Sequence, residues 1–365
     1  MTTEGALGLA RANVAALPLY GPDAAPCAID LSDNTNLWGA PPSALAVLQG
    51  VSSAEVSRYP STYSQQFRSA VLSYLDIEAG PGVGVVAGCG SDDVLDSAMR
   101  AFGEPGDAVA FCAPTFSMIP VFARLNGLVP QAVPCTSDFG LDADRLVECG
   151  AKISYVCTPN NPTSTAAALQ AVEYVVEHAR GLVIIDEAYA EFAPETFQAL
   201  AARSERVLVT RTFSKAFGMA GLRVGYAIGA GATVGLVARA RGPYKVNALA
   251  ERAVLAALEP EGIRWVEARA ADVVALRDRI SVALRELGYD VLPSAANFLM
   301  VPLVDAGVVA RALRQKGILV RVLTGLPMDA PRLRASGGNA LRIGIGPWEM
   351  MDALLTALRE VRACA

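Results

Sequence analysis

From about Val83 to Gly229 the hydrophobic residues gather in short runs separated by stretches of helical periodicity. The runs are Gly84–Ala87, Ala108–Cys112, Ile153–Cys157, Val183–Asp186, Val207–Arg211 and Val224–Ile228. Unbroken apolar runs mark strands buried on both faces, and their alternation with helices predicts a largely parallel sheet covered by helices. An arginine-rich helical stretch, Glu261 to Leu287, leads into predicted strands at Asn297–Pro302, Ile318–Arg321 and Leu341–Ile345. Helices are predicted around Ala306–Gln315 and Trp348–Val361, which together make a second, smaller α/β domain. Before Val83 one helix starts at Pro41 and Pro42 and ends at Gly50, and another runs from Ser61 to Leu75. This leading segment is expected to fold back onto the C-terminal domain. The boundaries that follow are an arm over 1–40, a large domain over 41–255 and a small domain over 256–365. There is no internal repeat, and Ser336-Gly337-Gly338-Asn339 reads as a flexible turn.

Composition narrows the function. A chain of 365 residues, 53% hydrophobic and 18% charged, can bury a large core, yet no apolar run reaches the ~18 residues a bilayer span needs. The formal net charge of −5 argues against a broad nucleic-acid or anionic-membrane surface, so any bound phosphate must be held locally. Met1 to Gly21 shows no basic head followed by an apolar segment, which predicts no export signal and a cytoplasmic protein. Seven cysteines without a CxxC spacing are expected to be buried free thiols. The single histidine, His178, lies among Glu173, Glu177 and Arg180, so no metal site is expected.

Ligands in open α/β sheets collect at the carboxyl ends of strands, and four such ends carry unusual residues. Gly88-Cys89-Gly90-Ser91-Asp92-Asp93 follows a strand and opens a helix, where free N–H groups favour an anion, although Ser and Asp are also ordinary helix caps. Thr158-Pro159-Asn160-Asn161-Pro162-Thr163 is a proline-stiffened loop that aims an asparagine or merely turns the chain. Val183-Ile184-Ile185-Asp186-Glu187-Ala188-Tyr189 ends an apolar strand on a carboxylate, which is costly there unless a cation or donors meet it. Arg211-Thr212-Phe213-Ser214-Lys215-Ala216-Phe217-Gly218, with Arg223 beyond it, surrounds one lysine with two hydroxyls and an arginine, making it a candidate for Schiff-base chemistry.

Together these loops resemble the fold type I pyridoxal-phosphate enzymes, and most closely the histidinol-phosphate aminotransferase family. The strongest carriers are Asn161-Pro162-Thr163, Asp186-Glu187-Ala188-Tyr189, and Thr212-Phe213-Ser214-Lys215 followed by Gly221-Leu222-Arg223-Val224-Gly225-Tyr226. Supporting similarities are Arg58-Tyr59-Pro60, Pro114-Thr115-Phe116, Pro243-Tyr244 with Val246-Asn247-Ala248, and Leu341-Arg342-Ile343. The resemblance implies a mostly parallel seven-stranded sheet in the large domain, with pyridoxal 5'-phosphate as cofactor. Lys215 would form the imine with the cofactor aldehyde and shuttle the proton, and Asp186 would face the pyridinium nitrogen. Asn161 and Tyr189 would donate to the phenolate oxygen, and Phe116 would stack on the ring. The phosphate would meet the N–H groups around Ser91 and Asp92, the hydroxyls of Thr212 and Ser214, and Arg223. Tyr59 would reach that phosphate from a neighbouring subunit, which implies a homodimer with its active site at the interface.

On the substrate side the resemblance gives Arg342 the α-carboxylate and Arg321 a substrate phosphate, with Tyr20 and Asn247 lining the entrance. It implies ping-pong transfer between an amino donor and a 2-oxo acid, most simply L-histidinol phosphate and 2-oxoglutarate, in histidine biosynthesis. An aromatic amino-acid aminotransferase and a threonine-phosphate decarboxylase are the alternatives. Two departures from the family bear on the substrate. Ser164 and Thr165 follow Thr163 where the family has a glycine, predicting a different turn, and Asp33-Asn34-Thr35-Asn36-Leu37-Trp38-Gly39 only loosely matches an asparagine-rich stretch.

Overall fold

The computed structural model describes residues 8–17, 19, 21, 26–78, 80 and 82–363. Its centre is a seven-stranded sheet built from β2 (Val83–Cys89), β3 (Ala108–Ala113), β4 (Val129–Pro134), β5 (Ile153–Cys157), β6 (Leu182–Asp186), β7 (Val207–Thr212) and β8 (Val224–Ala230). The strand order is β2-β8-β7-β6-β5-β3-β4, with β8 antiparallel to both neighbours and every other pairing parallel. All five residues of β6 and all six of β7 are buried, as strands covered on both faces must be.

Side-chain alternation sorts these strands into two faces. Ile153, Tyr155, Leu182, Ile184 and Leu208 join one apolar cluster, packed under the helices Gly90–Phe102 and Gly231–Ala240. Val156, Val183, Ile185, Val207 and Val209 join the other, which continues without a break into the C-terminal part of the chain. There a 27-residue helix, Pro260–Glu286, about 40 Å long at 1.5 Å per residue, leads to a three-stranded antiparallel sheet. That sheet has the order β11 (Arg321–Leu323), β12 (Ala340–Gly344), β9 (Phe298–Pro302).

The run Ile318–Arg321, expected as one strand, is divided. Ile318–Leu319 (β10) pairs in parallel with Ile29–Asp30 (β1), and after Val320 the chain enters the antiparallel sheet as β11. Strand β4 escaped the sequence pattern because Pro130, Gln131 and Pro134 interrupt it, which an edge strand tolerates. The helix expected from Ser61 begins instead at Gln65, where the Ser64 side chain accepts from the Phe67 amide and caps it. The thiol expectation needs correction. Six described cysteines are free, but Cys112 alone among them is buried and Cys89, at the open end of β2, is exposed; Cys364 lies outside the described residues. No helix among the described residues is long and apolar enough to cross a membrane, and no cluster there could hold a metal ion.

The segment 33–39 is clasped between the two parts of the molecule. Asn36 Nδ2 donates to Ala216 O at 2.8 Å, and Asn297 Nδ2 donates to Asn34 O at 3.0 Å. Gly218 makes the close approach possible: its φ is +64°, and a Cβ there would lie 1.8 Å from Gly39 O. Gly218→Ala is expected to cost about 2 kcal/mol or more, from the left-handed backbone and the clash together, read as a lower urea midpoint.

Candidate active site

The carboxyl ends of β5, β6 and β7 open into a cavity of about 540 Å³ that continues to β11 and β12. Lys215, Asp186, Tyr189, Asn161, Phe116, Ser91, Asp92, Thr212, Ser214, Arg223, Arg321 and Arg342 all line it. Parallel register explains the convergence, since Cys157 pairs with Asp186 and Asp186 with Thr210, so one sheet face ends in a row of polar groups.

Asp186 is 3% exposed. Its Oδ2 accepts from the Tyr155 hydroxyl at 2.7 Å and its Oδ1 from Thr210 Oγ1 at 3.0 Å. Burial pushes the carboxyl up from 3.8 to about 6 despite these donors. Lys215 Nζ donates to Asp33 O at 3.3 Å. Loss of water in the cavity, helped by the nearby Arg342 cation, lowers its amine from 10.5 to about 8. Lowered basicity leaves a larger share of the amine neutral, the form that condenses with an aldehyde.

A cradle lies where the helix Gly90–Phe102 meets β8. A Cβ on Gly225 would sit 2.2 Å from the Ser91 amide, and one on Gly90, at φ +79°, would sit 2.6 Å from Arg223 Nη2. Arg223, itself at φ +53°, donates to Ser214 Oγ at 3.3 Å and pairs with Asp92 at 3.4 Å. Helix N–H groups, hydroxyls and a guanidinium thus converge on one point, a donor set suited to a phosphate monoester.

On the far wall Arg342 Nη1 donates to Asn161 Oδ1 at 2.8 Å and its Nη2 to Ser32 O at 2.6 Å. Arg321 Nε donates to Ser32 O at 3.4 Å. Ser164 has φ +63°, the left-handed region that glycine fits, and Asn160 O accepts its amide at 2.7 Å, so this loop turns as a glycine would allow.

Two expected site residues, Tyr59 and Asn247, do not line this cavity within the chain itself, and a third falls outside the described residues. Tyr59 is 83% exposed and stacks on Tyr244 at 4.7 Å, outside the cavity of its own chain. Asn247 caps the helix Ala248–Ala257 by accepting from the Ala250 amide at 2.8 Å. Tyr20 lies outside the described residues. Sequence reasoning missed Tyr155 and Thr210, and it gave Asn34 no role although Asn34 Nδ2 donates to the Tyr189 hydroxyl at 3.1 Å. A lone tyrosine within Ile153–Cys157, two residues before the strand end, was the available signal.

A lysine of lowered basicity, a buried acid and an anion cradle at the mouth of a mostly parallel sheet define a fold type I pyridoxal-phosphate enzyme. The family described as aminotransferase class I and II matches residues 27–358. A histidinol-phosphate aminotransferase of Roseiflexus castenholzii is 37% identical, across 91% of this chain and 89% of its own. One of Desulfitobacterium hafniense is 32% identical across 96% of each. The crystal structure of histidinol-phosphate aminotransferase from Sinorhizobium meliloti in complex with pyridoxal-5'-phosphate superposes with a TM-score of 0.84 at 24% identity, over 97% of both chains, a likeness of fold. The chain belongs to the histidinol-phosphate aminotransferase family within the class I and II aminotransferases, and its cofactor is pyridoxal 5'-phosphate.

The raised carboxyl of Asp186 fixes the sign of one pH effect in the cofactor-free protein. Between about 3.8 and about 6 the folded state binds more protons than the unfolded state, so stability is full below that window and falls as pH rises through it. At ~1.4 kcal/mol per unit, Asp186→Asn is expected to gain up to about 3 kcal/mol relative to the unsubstituted protein between pH 4 and 7, read from urea unfolding.

Proposed function

We propose that this aminotransferase moves the amino group of L-histidinol phosphate to 2-oxoglutarate. The observation that carries the reading is the register of β11 and β12. Arg321 pairs directly with Arg342, so both side chains rise from one sheet face toward the cavity. Like charges directly opposite each other are unfavourable unless an anion lies between them. A phosphate ester answers this in one half-reaction and a dicarboxylate in the other, so one pair of guanidiniums serves both. The names of the relatives agree.

Lys215 would bind the cofactor aldehyde, with Arg223, Ser214, Thr212 and the Ser91 and Asp92 amides on its phosphate, and Asp186 at its ring nitrogen. Bound there, the cofactor supplies an electron sink for negative charge at the substrate α-carbon. Lys215 would act as the base that takes up and hands on the proton of the substrate α-carbon. Tyr189 accepts from Asn34 and is held with its own hydroxyl hydrogen available to the phenolate oxygen, while Asn161 is oriented by Arg342. Residues 41–255 hold the cofactor in this reading, and 256–365 supply the substrate arginines. Val56, Tyr59 and Tyr63 are 66%, 83% and 62% exposed, which supports a homodimer that covers them and brings Tyr59 to the partner's phosphate. Free thiols suit a cytoplasmic setting.

Mixing the holoenzyme with a panel of amines and following the visible cofactor band tests the reading. Conversion to the amine form by histidinol phosphate supports it; conversion only by aromatic amino acids, or carbon dioxide release from threonine phosphate, replaces it. Lys215→Ala is expected to abolish turnover in the same assay. Arg321→Gln is expected to raise KM for histidinol phosphate by roughly 10–100-fold, the loss of one charged hydrogen bond.

A further inference from the structure

Tyr155 stands in an apolar strand, is 1% exposed and packs its ring in the cluster with Ile153, Ile184 and Leu208. Phenylalanine would fill the same volume without a hydroxyl to desolvate, so the hydroxyl is the costly part. It donates to Asp186 Oδ2 at 2.7 Å, with the Cys157 thiol beside it. Thr210 does the same from β7, at 3.0 Å to Oδ1, so both oxygens of the acid are held by donors that belong to the sheet.

We propose that Tyr155, seconded by Thr210, is a positioning residue that keeps the shared proton on the cofactor's ring nitrogen rather than on Asp186. A carboxylate and a pyridine nitrogen that share one proton divide it by relative proton affinity, and donors to the carboxylate lower its share. The groups facing Asp186 leave this work to the hydrogen bonds. Cys157 on β5 has its thiol pushed up to about 12 by burial and stays neutral, and Asp92 on the helix raises the affinity of the acid for a proton. Tyr189, beyond β6, is likewise held neutral by burial, and Tyr155 itself is driven upward by burial and by Asp186, so it donates throughout the working range. The inference rests on the reading of Asp186 given above, because the acid must meet the ring nitrogen for Tyr155 to act through it.

The test is the 15N shift of the ring nitrogen in holoenzyme reconstituted with 15N-labelled pyridoxal phosphate, followed with pH. Tyr155→Phe is expected to move the shift toward the unprotonated value at a pH where the unsubstituted enzyme is protonated, and to lower kcat by roughly 10-fold with KM unchanged. Thr210→Val is expected to move it the same way by less, and Thr210→Ser to restore it. A Tyr155→Phe shift identical at every pH overturns the proposal. Should that variant not retain cofactor, identical shifts in Thr210→Val and Thr210→Ser overturn it. An Asp186→Asn enzyme whose nitrogen stays protonated overturns the reading of Asp186 as well.

Discussion

Asp186 sits at the end of a strand whose other residues are all apolar, and keeping a charge there has to be offset on every side. Most of the offset comes from within the sheet, where β5 reaches across with Tyr155 and β7 with Thr210, and the Ala188 amide adds to it from beyond the strand. Two strands must therefore keep their register against β6 to within the tolerance of a hydrogen bond. Continuous apolar packing above and below enforces that register, because a one-residue slip would turn every side chain to the wrong face. The site and the core are in this sense one requirement.

The opposite face of the same strand ends carries a second charged group. Glu187 follows Asp186 and points the other way, where Arg211 donates to it through Nε and Nη2 at 2.9 and 2.8 Å. Both are under 5% exposed, so neither charge is tolerable without the other. Burial pushes the neighbouring Glu191 carboxyl upward, and Arg211 beside it pulls the other way. Alternation along the strands places this ion pair on the face opposite Asp186, while Thr210 and Thr212, flanking Arg211, share the face of Asp186. The pair clamps β6 to β7 one residue beyond Asp186 and so helps to fix the direction in which the acid points.

Much of this was legible in the chain. The strands that build the sheet announced themselves because they are buried on both faces and so unbroken in hydrophobicity, and Lys215, Asp186 and Arg223 stood out as polar residues at their ends. What stayed hidden had physical reasons. Tyr155 looks like any large apolar residue until its hydroxyl is seen to have a partner. Strand β4 lies at an edge, where prolines are tolerated and the pattern is lost. The division at Val320 depends on which sheet each neighbour joins, which no local pattern records. Asn247 is polar and near the expected entrance, yet its geometry within one chain is that of a helix cap.

The two walls of the cavity obey different rules. Around Asp186 and Lys215 the polar groups are drawn from parallel strands locked on both sides, which suits a task that is the same for every substrate. Arg321 and Arg342 stand on a three-stranded antiparallel sheet in the C-terminal part, a smaller scaffold in which residues can change without disturbing the seven-stranded core. A hydrogen bond from Arg342 to Asn161 Oδ1 links the two, and the Arg342 charge also reaches Lys215. A change of charge at Arg342 therefore bears both on Asn161 and on the Lys215 amine, so the far wall of the cavity is coupled to the strand ends opposite it.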